Sequence, residues 1–222
     1  VGCFDLGAEG ITAVTDPTGL FVENHAQQVA GTCVAVTMEG RRPLLAEVQA
    51  LVTMSAAEKP RRTTSGVDNS RTAMVLAVLQ QHAGIRTHNK DVFVATVGGA
   101  RLNEPASDLA VAISIASALH ERPAPVGTVA MGEIGLAGEL RRVRDLPQRL
   151  AEAARLGFSY ALVPMDRTSA GPTATSSKRV VDGMQVIEVP NIGAAISMLG
   201  FSGPADSYSR PPETRGGPGR DM

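Results

Sequence analysis

Residues 92–150 constrain the fold of this chain more than any other stretch. An apolar run at 92–97 ends in two glycines, and a second apolar run at 126–131 leads into the sequence GEIGLAGEL. Between the two runs, apolar residues from Pro105 onward repeat at helical spacing. Two runs of strand length on either side of a helical pattern predict a β-α-β unit whose helix packs against a sheet.

The remaining sequence alternates between strand and helix patterns. Runs rich in Val and Thr at 32–38 and 43–53, joined by a short turn, predict a β-hairpin. Asp68 or Ser70 is a suitable cap for a helix that ends near Gly84. Further predictions are a helix between Asp145 and Gly157, strands at 160–164 and 184–189, a final helix capped by Asn191, and polar loops at 55–68 and 166–178.

Composition limits the classes of function. The chain has 222 residues, 43% of them hydrophobic and 19% charged, with a net charge of −1, so a DNA site has to be a local basic patch. No apolar run approaches the ~20 residues of a membrane span. Aromatic residues make up only 3%, and Phe93 lies within a predicted strand, so the sequence shows little sign of a base-stacking platform. Cys3 and Cys33 lack metal-ligand spacing and are interpreted as small buried apolar residues.

The segment that begins at Gly132 resembles part of the proteolytic domain of Lon-type peptidases. That family carries a pattern G-E-x-x-L-x-G-x-[LV], and the matching residues here are Gly132, Glu133, Leu136, Gly138 and Leu140. In the family, a nucleophilic Ser follows a Pro at the start of a helix, and a Lys on a later helix activates it. The resemblance implies an α+β fold of the ribosomal S5 domain 2-like type.

The two catalytic positions of that family carry other residues in this chain. Aligning Pro105 with the family's proline places Ala106 at the Ser position, and aligning the later helix places Arg149 at the Lys position. Ala106 has no nucleophile, and Arg149 stays protonated, so it cannot act as a general base. We therefore predict that the chain is not an enzyme and that Arg149 forms a structural ion pair. The alternative is a peptidase that uses Ser107, whose hydroxyl we expect to bond to local backbone instead.

Within this superfamily, the chain is most similar to the C-terminal domain of the RadA (Sms) family of bacterial DNA-repair ATPases. The matching segments are MEGRRPLL and EVQALV within residues 38–52, PRR at 60–62 with GVDN at 66–69, and NEP at 103–105 with DLA at 108–110. The chain contains no GxxxxGK[ST] sequence and no CxxC pair. The resemblance therefore implies that ATP, Mg and Zn are bound only by N-terminal parts of the longer family protein, which drives branch migration of recombination intermediates.

The same resemblance divides the chain into three parts. Residues 1–30 correspond to a linker or hairpin after an ATPase core, residues 31–201 to a Lon-like domain with a degenerate peptidase site, and residues 202–222 to a disordered tail rich in Pro, Gly and charge. The implied partners are single-stranded or branched DNA, further copies of the chain in a homo-hexamer, and recombinase and helicase proteins. We expect a cytoplasmic, nucleoid-associated protein with no membrane partner.

Basic residues are the candidates for DNA contact, because Arg and Lys neutralise phosphates and release counterions. The candidates are Lys59, Arg61, Arg62, Arg71, Arg141, Arg142 and Arg144. The alternative for each is a solvated surface position or an ion pair, and a third hypothesis is a purely structural ring-forming domain. For Glu104 and Asp108, which flank the degenerate site, we expect helix capping and salt bridges with arginines rather than acid–base chemistry.

Overall fold

The computed structural model describes residues 3–7, 10–14, 29–166 and 176–201. Strands β1 to β12 are Cys3–Gly7, Gly10–Val14, Thr32–Glu39, Arg42–Met54, Arg62–Ser65, Lys90–Thr96, Thr128–Ala130, Glu133–Ile134, Leu140–Arg141, Tyr160–Pro164, Ser177–Val181 and Met184–Val189. Helices α1 to α4 are Asn69–Ala83, Asp108–Leu119, Leu146–Arg155 and Ile192–Met198. Single turns of 3-10 helix occur at Val97–Gly99 and Pro105–Ser107.

One mixed sheet of eight strands organises the chain, in the order β11-β12-β10-β7-β3-β4-β6-β5. Strands β12, β10, β7 and β3 run parallel to one another. Strands β3, β4 and β6 pair antiparallel, while the edge strand β5 is parallel to β6 and the other edge strand β11 is antiparallel to β12. The predicted mixture of helices and strands is confirmed, and the specific S5-type fold stays a prediction.

Helices α1, α2 and α4 cover one face of the sheet and form the larger core with it. Every residue of α2 from Asp108 to Ser117 is buried, and the small side chains of Ala110, Ala112 and Ala116 let the helix lie close to its neighbours. Helix α1 begins at Asp68, whose carboxylate accepts a hydrogen bond from Arg71 N at 2.7 Å, as the sequence predicts. Because α2 is buried on all sides, it is a central element of the fold.

Helix α3 covers only part of the opposite face. Leu150 and Ala153 pack against strands β3, β7, β10 and β12 and form a second, smaller core. Along β4 this face changes from Leu45, which is fully buried, to Leu51, which is 57% exposed. The part of the sheet face made by β5, β6 and the end of β4 is therefore bare within the described residues.

Two predicted loops contain strands. Within 55–68, residues Arg62–Ser65 form the edge strand β5, and the predicted loop at 166–178 overlaps β11, which begins at Ser177. Both strands lack the apolar alternation that marks a half-buried strand, because an edge strand has little to bury. The predicted tail at 202–222 lies outside the described residues.

For Cys33, the prediction of a small buried apolar residue is confirmed. Cys33 is 4% exposed, and burial raises the pKa of its thiol to about 12, so it is an inert core residue. The side chain of Cys3 lies outside the part of the chain that the structure describes. Within the described residues, no helix is long and apolar enough to cross a membrane.

Truncation of Leu109 tests the position of α2 in the core. Leu109 is fully buried, so Leu109→Ala should lower the free energy of unfolding by about 2–5 kcal/mol. Leu136 is 67% exposed, and Leu136→Ala is the matched control with an expected change within about 0.5 kcal/mol. Urea denaturation measures both values, and equal effects of the two substitutions would contradict the described packing.

Candidate functional site

The loop that carries Ala106 is fixed to the end of strand β7. Gly132 N donates to the carbonyl oxygen of Ala106 at 2.8 Å, and Leu109 N donates to the carbonyl oxygen of Gly132 at 3.1 Å. Ala106 is 5% exposed. The residue that the sequence resemblance aligns with a nucleophilic Ser is therefore buried and has no hydroxyl.

Arg149 is almost completely buried and forms a two-pronged ion pair with Glu104. Its side chain is 1% exposed, and its two terminal nitrogens lie 2.7 Å and 2.8 Å from the two carboxylate oxygens of Glu104. The Nε donates to the carbonyl oxygen of Arg144 at 2.8 Å, and one terminal nitrogen also donates to the carbonyl oxygen of Val36. The predicted structural ion pair is confirmed, and a guanidinium saturated in this way has no role as a base.

Glu104 accepts hydrogen bonds from strand β3 as well as from Arg149. Met38 N donates to its Oε1 at 2.8 Å, and the Thr37 hydroxyl is a further donor. Partial burial raises the pKa of Glu104, but Arg149, Thr37 and Met38 together outweigh burial and hold that pKa below its ordinary value. Glu104 is therefore ionised at neutral pH and ties the loop before α2 to both β3 and α3.

A second arginine–carboxylate pair closes the other side of the loop. Arg71 Nε donates to Asp108 Oδ1 at 2.8 Å and its terminal nitrogen to Oδ2, while Ile134 N donates to Oδ2 at 3.0 Å. Burial raises the pKa of Asp108 against the opposing effect of these donors, and the hydrogen bond to Asp108 raises the pKa of Arg71. The expected salt bridge of Asp108 is confirmed, and its partner Arg71 is one of the candidate DNA-binding residues.

Ser107 is not placed as a nucleophile. Its side chain is 6% exposed, and its Oγ donates to the carbonyl oxygen of Glu104 at 2.9 Å, as the sequence predicts. The space between Ser107, Arg71 and Asp108 measures only about 10 Å³, which is room for about one water molecule and not for a peptide. Within the described residues, no group of three or more His, Cys, Asp or Glu side chains could hold a metal ion.

Three more of the candidate arginines are engaged inside the chain. Arg62 donates to the carbonyl oxygens of Thr87, at 2.6 Å, and Lys90, so it holds the loop before β6 in place. Arg141 pairs with Glu139 at 2.7 Å and lies 3.5 Å from Glu133. Arg142 lies 3.2 Å from Asp166. The carboxylates neutralise part of the charge of Arg141 and Arg142, while Arg62 is engaged by backbone carbonyl oxygens.

Lys59, Arg61 and Arg144 are exposed and form no ion pair with any residue that the structure describes. Arg61 N donates to Asp91 Oδ1 at 2.7 Å, a bond that lowers the pKa of Asp91, while the guanidinium stays in solvent. Of the candidate residues, these three have the most charge available for a partner.

Two further basic residues, Arg86 and Lys90, lie near the candidates, although the sequence does not single them out. Because β5 pairs with β6 and Arg62 contacts the backbone at Thr87 and Lys90, the loop of Lys59 lies beside the segment that carries Arg86 and Lys90. Only the strand pairing, which the polar sequence of β5 conceals, brings these segments together.

The exposure of Phe93 differs from the expectation that a ring within a strand is not accessible. It lies in strand β6, as predicted, but it belongs to the bare face of the sheet and is partly exposed, while Val92 and Val94 are buried beneath the helices. Alternation along a strand places neighbouring side chains on opposite faces, so the position within a strand does not bury this ring. The chain therefore has an accessible aromatic side chain that sequence reasoning missed.

Comparisons with known proteins give one family model and several relatives. The model described as subunit ChlI of Mg-chelatase matches residues 34–167. A protein named DNA repair protein RadA from Mycolicibacterium smegmatis is 46% identical over 199 residues, which cover 90% of this chain and 40% of the relative. The protein of the same name from Mycobacterium tuberculosis is 44% identical over 90% of this chain and 39% of the relative. The one from Streptococcus pyogenes is 39% identical over 90% of this chain and 42% of the relative. The chain spans about two fifths of the length of these curated relatives.

The variant Arg149→Lys tests the geometry of the buried ion pair. A lysine keeps the charge but not the fork of donors, so we expect the free energy of unfolding to fall by about 2–4 kcal/mol. Arg155 pairs with Glu152 on the surface of α3 and is 54% exposed, so Arg155→Lys is the matched control, with an expected change below about 0.5 kcal/mol. Thermal and urea unfolding measure the difference, and a tolerated Arg149→Lys would contradict the structural role.

The lowered pKa of Glu104 predicts a pH dependence of stability. Its stabilising contribution is fully present above the unfolded-state pKa of about 4.3 and is lost as pH falls through the lower folded-state pKa. The stability difference between the native chain and Glu104→Gln should therefore be constant from pH 7 to about 5 and should shrink toward pH 3. Urea denaturation at each pH measures it, and a difference that grows toward acid would contradict the sign.

Proposed function

Because the chain belongs to the family described as subunit ChlI of Mg-chelatase and its relatives are named DNA repair protein RadA, we propose that it is a non-proteolytic, Lon-like scaffold that contacts DNA in a RadA-type repair protein. The observation that carries the proposal is the buried ion pair of Arg149 near Ala106, at the two positions that the sequence resemblance aligns with a Ser–Lys pair. We place ATP hydrolysis and branch migration in the part of such proteins that this chain does not span.

We propose no peptidase activity because the site residues do not supply a suitably placed nucleophile and base. A serine peptidase needs a hydroxyl that can reach a substrate carbonyl and a base that can accept its proton. The buried Ser107 donates to the backbone, and the carboxylates of Glu104 and Asp108 are both held by arginines. Ser107 Oγ donates to the carbonyl oxygen of Glu104, and no hydrogen bond from it to either carboxylate is present among the described residues.

Contact with DNA is supported by the distribution of free positive charge. Lys59, Arg61 and Arg144 are exposed without an ion pair among the described residues, so their charge is available to phosphates. The net charge of −1 means that this contact is local rather than a property of the whole surface. We assign the main phosphate contacts to these three residues and a secondary role to Arg62, Arg71, Arg141 and Arg142.

We also propose that the scaffold assembles into a ring, with the homo-hexamer as the expected form. The proposal rests on the sequence resemblance to RadA-type domains, because the exposed Val126, Val180 and Met198 are single apolar side chains of a kind that is normal on protein surfaces. A second candidate function, a purely structural ring-forming domain, is favoured by the internal pairing of Arg71, Arg141 and Arg142. The two candidates differ in whether the isolated chain binds DNA.

Fluorescence anisotropy with labelled single-stranded and forked DNA across a salt titration tests the proposal. The dissociation constant should rise linearly with salt concentration on logarithmic axes. The triple variant Lys59→Ser/Arg61→Ser/Arg144→Ser should bind at least tenfold more weakly, and the slope of its salt dependence should be smaller by about 0.7 per lost contact. The control variant Arg155→Ser/Lys178→Ser/Arg179→Ser removes the same number of positive charges elsewhere on the chain and should bind like the native chain. No binding at low salt by an assembled chain would leave only the structural function.

A fluorophosphonate probe for serine hydrolases tests the non-enzymatic part of the proposal. Because Ser107 is buried and bonded to backbone, we expect no labelling of the native chain. Labelling that disappears in Ser107→Ala and persists in Ser114→Ala, a buried helix serine used as the control, would overturn the proposal.

A further inference from the structure

The bare part of the sheet face forms an open groove of about 510 Å³, within the size range of roughly 300–1,000 Å³ that is typical of ligand sites. Its floor is made by strands β4, β6 and β5, and residues 29–32 form one wall. Helix α3 covers the same sheet face at Leu45 but does not extend to Leu51. Among the described residues, the groove is thus the uncovered continuation of a face that is elsewhere part of the core.

The strand register places an aromatic ring in the middle of this floor. Leu51 lies opposite Phe93 on the neighbouring strand, and Phe93 lies opposite Thr63 on the edge strand. The next row on the same face contains Gln49, Ala95 and Ser65, which are small or polar side chains. A ring with an aliphatic side chain on one side and hydroxyls on the other suits a flat, partly polar ligand such as a nucleobase.

Positive charge lies at one end of the groove. The row beyond Phe93 contains Asp91 and Arg61, and at ~3.3 Å per residue it lies roughly 7 Å away along the strands. The exposed guanidinium of Arg61 and the exposed ammonium of Lys59 are at this end, with Arg86 and Lys90 on the adjoining segment. The acidic residues of these segments are Glu58 and Asp91, so the cations exceed the anions here.

We propose that this groove binds a single-stranded nucleic-acid segment, with a base stacked on Phe93 and the adjoining phosphates at Arg61 and Lys59. The inference rests on the proposed DNA contact and deepens it, because it names the part of the fold that holds the strand and the side chain on which a base stacks. In a duplex the bases are stacked on one another, so only a single strand presents a base to the ring. The positive end of the groove favours a polyanion over a second, nearly neutral copy of this chain.

The test compares a labelled 15-residue oligothymidylate with a duplex of the same length, using the full 222-residue chain. Phe93→Leu keeps an apolar side chain but removes the ring, so the affinity for the single strand should fall about tenfold, while that for the duplex should not change. Leu51→Ser, at an exposed position, should weaken single-strand binding without unfolding the sheet. Leu136→Ser is the matched control at another exposed leucine and should leave binding unchanged.

Photocross-linking gives an independent readout of stacking. Oligothymidylate with a single 5-iododeoxyuridine should cross-link to the peptide that contains Phe93, and the cross-link should be absent in Phe93→Leu. Mass spectrometry of the digested product identifies the peptide. A cross-link confined to peptides outside β4, β5 and β6 would overturn the inference.

The outcomes separate this inference from the proposed function. If the native chain binds DNA and both Phe93→Leu and Leu51→Ser bind the single strand equally well, the groove is not the site, while the proposed DNA contact stands. If the native chain binds no DNA at low salt, the proposed function fails and the inference fails with it. If Leu51→Ser changes the mass measured by light scattering and leaves DNA affinity intact, a second copy covers the face and the inference is overturned.

Discussion

The buried ion pair between Arg149 and Glu104 is the interaction on which the rest of this structure depends. It joins helix α3, the loop before helix α2 and strand β3, the last through Val36 and Met38. A guanidinium that is 1% exposed is stable only if its donors are paired, since an unpaired charge in the interior costs several kcal/mol. The pair therefore fixes the mutual position of the elements that define the site.

The same contacts support the proposal that the chain is a scaffold and not a peptidase. At this site Ala106 is buried, Ser107 Oγ donates to backbone, and both nearby carboxylates are held by arginines. In the proposed scaffold the contact with nucleic acid is assigned to the surface, where Lys59, Arg61 and Arg144 carry available charge and the sheet face around Phe93 carries a groove.

The sequence predicts the elements that bury apolar side chains and misses those that do not. Strands β10 and β12, helix α1 with its cap at Asp68 and the ion pair of Arg149 follow from periodicity, capping and charge. Edge strands β5 and β11 are polar, so their pairing is set by neighbours distant in sequence. For the same reason the contacts of Arg62 and the exposure of Phe93 appear only once the register is known.

A double-mutant cycle with Arg149→Met and Glu104→Gln tests the central claim most directly. The free energies of unfolding of the native chain, the two single variants and the double variant, measured in urea at pH 7, give the coupling energy of the pair. A buried, two-pronged pair should couple by about 2–3 kcal/mol, with the double variant more stable than the sum of the single effects predicts. A coupling below about 0.5 kcal/mol would contradict the claim that this ion pair holds the site together.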